Sequence, residues 1–160
     1  MTRVDAMRKG LAAWFDAHPD AAEHLRSIAR GTYGVSCRLV EWLVAVHARD
    51  TGLFWYTDGK GAWRLAPDDE ATELVDVHHE YRSQLRGATK TLFDPFRRHA
   101  RTAYGDVETT VAQMNFVAWA HRRGVLRYAL DHRERLLHEM AAPSPPSPVR
   151  DGGTRVVCFV

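Results

Sequence analysis

The stretch from Ser36 to Arg49 constrains the fold most. Val40, Leu43, Val44 and His47 recur at helical spacing, with Leu39 and Trp42 beside them. Such a helix is apolar nearly all round and has to be covered on every side. Ser36 is placed as its N-cap, and the helix with Trp42 is predicted to be the centre of the core. A chain of 160 residues can supply the cover, because at this length folding buries roughly 70% of the unfolded surface. Apolar content of 45% and charged content of 26% are globular values, which excludes disorder for most of the chain.

Proline and glycine punctuate the rest. Met7, Leu11, Trp14 and Phe15 predict an amphipathic helix over about 4–18. Pro19, followed by Asp20 and Glu23, predicts the next start, and Gly31 its stop. After the apolar helix come two aromatic runs, 53–56 and 62–65, separated by Asp58-Gly59. Glycine tolerates the positive φ of a tight turn, so a hairpin is predicted. Pro67, Asp68, Asp69 and Glu70 read as the start of a helix that carries Leu74, Val77, Tyr81 and Leu85 and ends near 87–90. Asp94-Pro95 forces a turn, and Gly105-Asp106 centres a second hairpin. Thr110 with Gln113 fits a capping box. A helix to about Arg123 follows, then Gly124, then a last helix from Val125 to Met140.

Pro143, Pro145, Pro146 and Pro148, with serines, predict a flexible tail over 143–160, ending in an apolar Val156 to Val160. Cys37 and Cys158 are too few and too far apart for a disulfide framework and are expected to be free thiols. No secretory signal is visible, and no apolar run is long enough to span a bilayer. The expected setting is intracellular.

The residues offer little for catalysis. His78 and His79 are adjacent and project about 100° apart on a helix, and no zinc or calcium spacing occurs. His47 and His121 fall on apolar helix faces, as hydrogen-bonded core histidines do. Gly59-Lys60-Gly61 lacks the spacing of a phosphate loop. No enzyme, metal or cofactor is expected.

Two surfaces stand out. Arg82, Arg86 and Lys90 step by four along one helix face, and Arg97, Arg98 and Arg101 follow in the turn and next strand, with His99 between them. Asp94 is the only acid within this stretch, so the patch has the character of a phosphate-binding stripe. The plainer reading is a solvated face paired with Glu73, Asp76 and Glu80. The first hairpin, with Trp55, Lys60, Trp63 and Arg64, is a candidate stacking or partner surface. Its alternative is aromatic packing into the core.

Several segments carry a resemblance. Arg38-Leu-Val-Glu-Trp-Leu-Val44, Tyr81-Arg-Ser-Gln-Leu85, Phe93-Asp-Pro-Phe-Arg-Arg98 and Glu108-Thr-Thr-Val-Ala-Gln-Met-Asn-Phe116, with Trp119-Ala120, resemble an uncharacterised protein family of giant DNA viruses. The likeness spans about Val35 to Tyr128. Arg82 replaces the family's lysine, Arg97 a cysteine, Ala112 a glycine and Met114 a leucine. The resemblance implies a viral origin, with host cytoplasm, host nucleus or the virion as the setting, and no particular chemistry.

The expectation is a helix-dominated α+β domain over 1–142, with about six helices and two short hairpins. Within it, 1–31 is a helical extension and 35–128 the family-like core. The predicted role is a non-enzymatic viral binding module contacting nucleic acid or another polyanion. The alternative is a structural or adaptor virion protein holding a viral or host protein through the aromatic hairpin and tail.

Overall fold

The structure is a computed structural model that describes residues 1–142, together with the backbone of 150–151 and 154–155. Helix α1 (Arg3–Ala17) is fixed at its start by a capping box between Thr2 and Asp5, and α2 (Pro19–Arg30) begins with proline in its first turn. Gly31 closes α2 at φ 72°, a conformation that costs glycine little. Phe15 and Leu25 anchor this helix pair, both fully buried.

The apolar stretch forms α3 (Cys37–Trp42), a π segment (Leu43–His47) and α4 (Ala48–Thr51), running as one rod. Ser36 caps it, its hydroxyl accepting from the Leu39 amide at 3.0 Å. Leu39, Val40, Leu43, Val44, His47 and Ala48 are buried, but Trp42 is half-buried. The centre of the core is instead α6 (Val111–Arg122), where every residue from Val111 to His121 except Asn115 is buried. Helices α1, α2 and α5 (Val77–Leu92) all pack on it. Glu41 keeps one side of the earlier helix wet, whereas α6 has no charge until its last turn.

Strands β1 (Phe54–Thr57), β2 (Trp63–Arg64) and β3 (Glu73–Asp76) form an antiparallel sheet in the order β2-β1-β3. The Asp58-Gly59 hairpin is present, with Tyr56 opposite Arg64. Residues 68–76 differ from expectation, since the helix predicted at Pro67 begins at Val77. The Asp68 carboxylate accepts from the amides of Glu70 and Ala71 and closes a turn there. The chain then pairs with β1, Trp55 opposite Val75 and Tyr56 opposite Leu74. Asp76 is the true N-cap, accepting from the His79 amide. An acidic cluster after proline suits an Asx turn as well as a helix start, and β1 supplies the pairing that decides between them.

Helix α5 runs past the expected stop, interrupted by Thr89 at φ 61° and ψ 168°. The second hairpin joins β4 (Arg101–Tyr104) to β5 (Val107–Thr110). Thr110 caps α6 by accepting from the Gln113 amide at 3.0 Å. Gln113 does not complete the box: its side chain accepts from the Thr109 hydroxyl and donates to the carbonyl oxygen of Pro95. With Asn115 donating to the Leu92 carbonyl oxygen, it fastens the Asp94-Pro95 turn to α6. The last helix is divided at His132 into α7 (Val125–Asp131) and α8 (Arg133–Ala141). In the tail, β6 (Arg150–Asp151) pairs with β7 (Thr154–Arg155). Cys158 and the rest of 143–160 lie outside the described residues. No helix among the described residues is long and apolar enough to cross a membrane.

Candidate functional site

The basic face is assembled by two shared ion pairs. Glu41, from α3, receives both Lys90 at 3.2 Å and Arg98 at 3.9 Å. Glu108, on β5, sits between Arg97 and Arg101, 3.8 Å from each. The end of α5, the Asp94-Pro95 turn and β4 are thereby brought onto one surface. Arg98 is fixed further by the buried Asp94 carboxylate, which accepts from Nε at 2.9 Å and from Nη2 at 3.0 Å and also from the Phe96 amide. The Arg98 guanidinium lies 4.7 Å from the Phe96 ring centroid, which adds a cation–π contact.

The sequence therefore understated the opposing charge. Asp94 is joined by Glu41 and Glu108, which lie outside the stretch and arrive through the fold. The plainer pairing fails too, because Glu73 and Glu80 hold Arg123, each with a contact of 2.8 Å. Arg82 and Arg86 have no carboxylate within ion-pair reach among the described residues, and Arg86 donates to the Ser83 hydroxyl. Three carboxylates thus face Lys90, Arg97, Arg98 and Arg101, while Arg82 and Arg86 precede the break at Thr89; all six cations are exposed.

The first hairpin divides by alternation. Trp55 is fully buried, stacked on Tyr128 at 4.6 Å, so it offers no stacking platform. Trp63 is half-buried, packed against Tyr128 and His132 with its indole N–H donating to Asp131 at 2.8 Å. Lys60 and Arg64 remain exposed. The outward positions are Phe54 and Leu74, 56% and 54% exposed, with Tyr56 between them.

A cleft that the sequence did not reveal lies beneath the hairpin turn. It has a volume of about 410 Å³ and gathers Asp20, Glu23, His24 and Ser27 from α2, Tyr33, Lys60 and Gly61, and His121, Leu126 and Arg127. The His24 and His121 rings are 5.3 Å apart, and Nδ1 of His24 shares a 2.8 Å hydrogen bond with the Tyr33 hydroxyl. Burial lowers the pKa of both imidazoles, His121 to about 4, and raises that of the Tyr33 phenol. The only hint in the sequence was His121 on an apolar face, where it was expected to be hydrogen-bonded. No hydrogen bond to it is present among the described residues.

Elsewhere, burial pushes the Cys37 thiol up, reinforced by Asp94, which disfavours the reactive thiolate. His47 is buried beside Glu139, 3.4 Å away. No cluster of three or more His, Cys, Asp or Glu side chains among the described residues is arranged to hold a metal ion.

Comparison with known proteins bears on origin. An uncharacterised protein of Acanthamoeba polyphaga mimivirus is 28% identical over 123 residues, covering 71% of this chain and 44% of the relative. The chain thus spans less than half the length of that viral protein. No solved structure matches. A family of unknown function (DUF7197) matches residues 5–144, which takes in α1 and α2 as well as the 35–128 stretch. The chain belongs to this family, an uncharacterised one with a giant-virus relative.

Proposed function

We propose that the domain is a non-enzymatic binding module that contacts nucleic acid or another polyanion through its basic face. The observation that carries this reading is the excess of exposed cations over residues 82–101: Arg82, Arg86, Lys90, Arg97, Arg98 and Arg101 against Glu41, Asp94 and Glu108. Arg82 and Arg86 are available as they stand. Lys90, Arg97 and Arg101 are held by exposed or half-exposed carboxylates, and such pairs are weak, about 0–1 kcal/mol. A phosphate can replace a carboxylate at them. Each phosphate contact releases condensed counterions, so binding weakens linearly in log affinity as log salt rises.

The test is fluorescence anisotropy with labelled single- and double-stranded DNA and RNA across a salt series. It is repeated with Arg82, Arg86, Arg97 and Arg98 changed to alanine. Binding with a steep salt slope that this variant loses supports the reading. Absence of binding at low salt overturns it.

A second reading, an adaptor for a protein partner, is favoured by Phe54 and Leu74, both more than half exposed on the outer face of the sheet. Such an interface depends on apolar area and tolerates salt.

A further inference from the structure

The cleft under the β1–β2 turn is separate from the basic face, and its chemistry is different. Its lining is charged with both signs. Asp20 and Glu23 come from α2, while Lys60 comes from the hairpin turn and Arg127 from α7. Asp20 and Lys60 have no ion-pair partner among the described residues, whereas Glu23 pairs with the half-buried Arg26 and Arg127 with the exposed Asp131.

The floor is His121. Its side chain is buried, only 7% exposed, yet it lines the cavity and has no hydrogen-bond partner among the described residues. The sealed, unpartnered side-chain nitrogens among the described residues belong to His99, Trp119 and Arg123, so the ring nitrogens of His121 open onto the cleft, where water or a ligand can satisfy them. Gly61 covers one face of the ring. A Cβ there would lie 3.0 Å from Cε1, 3.4 Å from Nε2 and 3.5 Å from Nδ1, at a φ of 112°. Glycine is thus required twice, for the turn and for its closeness to the imidazole.

A simple anion would meet Asp20 and Glu23, and a simple cation would meet Lys60 and Arg127. A molecule with an anionic end and a hydrogen-bond-donating end satisfies both. The same lining holds His24, His121, Tyr33 and Leu126, three flat rings and one aliphatic side chain. The volume falls within the usual range for small-molecule sites, about 300–1,000 Å³. We propose that this cleft binds a small amphoteric ligand of the nucleoside-monophosphate class. Its phosphate meets Lys60 and Arg127, its heterocycle packs against the imidazoles, and its exocyclic amine donates to Asp20 or Glu23. Burial keeps both imidazoles neutral near neutral pH, so they add hydrogen-bonding nitrogens and ring faces without charge.

The test is a titration of the isotopically labelled full chain, followed by amide shifts in NMR spectra. The probes are the adenosine, cytidine, guanosine and uridine monophosphates, with inorganic phosphate and the free nucleosides as half-ligands. At least one of the first three monophosphates, which carry an amine, is expected to shift amides in 20–27, 58–62 and 121–127. It should bind about tenfold or more tighter than either half, the spacing that one properly used charge contact supplies. Uridine monophosphate, which lacks the amine, should bind more weakly. Lys60→Glu, at an exposed position that leaves folding intact, should lower the affinity about tenfold or more. His121→Gln should weaken binding as well. If that variant does not fold, Lys60→Glu alone decides. Failure of all the monophosphates to move cleft amides at millimolar concentration overturns the proposal. So does equal binding of phosphate alone, an unchanged affinity in Lys60→Glu, or shifts confined to the basic face around Arg82 to Arg101.

Discussion

The indole N–H of Trp55 donates to the carbonyl oxygen of Arg123 at 2.7 Å, across 68 residues of sequence. That carbonyl lies at the end of α6, where helical partners run out, so the indole both satisfies it and seats the hairpin. Trp55→Phe keeps most of the apolar surface and removes the donor. The expected loss is about 1–3 kcal/mol, the cost of leaving a buried carbonyl unpaired, read as a lower urea midpoint at unchanged slope.

The Asp94 carboxylate is 1% exposed and accepts from Phe96 and Arg98, with His99 Nε2 3.3 Å away but not hydrogen-bonded to it. In Asp94→Ala, Arg98 is half exposed and can turn to water, which limits the penalty. A loss of about 1–3 kcal/mol is expected, with the amide signals of Phe96 to His99 broadened in NMR spectra.

Stability should fall as the solution is acidified. His121 titrates at about 4 in the folded chain against 6.5 ordinarily, because it is buried and faces His24 and His18, with Asp20 and Asp58 opposing. His24 and His47 are lowered in the same direction, also chiefly by burial. Between 6.5 and about 4 the unfolded chain binds more protons at His121, and below 6.5 His24 and His47 act in the same direction. Their effect on stability is therefore absent above that window and destabilising within it. Urea unfolding across the window checks the slope, and His121→Leu should flatten it.

Thr89 holds φ 61° and ψ 168°, a region that is essentially glycine's and costs other residues about 1–3 kcal/mol. Thr89→Gly relieves that strain and loosens the unfolded chain, two effects of opposite sign. A net gain of about 1 kcal/mol in thermal or urea unfolding is expected from the larger of the two.

Glu41 and Glu108 each hold two cations of the basic face. Glu41→Gln with Glu108→Gln removes two opposing charges without removing any arginine. If the face binds phosphates, affinity for DNA or RNA at low salt should rise severalfold and the salt slope should steepen. Unchanged anisotropy titrations would assign any binding to another surface.

What could be read in the sequence was local. Pro19 and Gly31 bound α2, Ser36 caps α3, and both hairpin turns lie where Asp58-Gly59 and Gly105-Asp106 put them. The failures have nonlocal causes. Residues 73–76 are a strand because β1 pairs with them, and Gln113 leaves its cap for Thr109 and Pro95. Glu41 reaches Lys90 across 49 residues, which no pattern within 82–101 could show. The cleft combines α2, a turn and α6–α7, and each contributes side chains that are unremarkable in their own segment.

Gly124 sets the order in which the chain can assemble. At φ 79° it turns α6 into α7, and a Cβ there would lie 2.9 Å from the Ala62 carbonyl oxygen and 3.3 Å from the Trp55 indole nitrogen. The seat of the hairpin is thus made from residues that leave the ribosome well after the hairpin itself. Until they emerge, Trp55 and Trp63 have no corner to dock on. A nascent chain stalled before Gly124 carries both indoles in water, the kind of exposure that recruits chaperones or seeds aggregation.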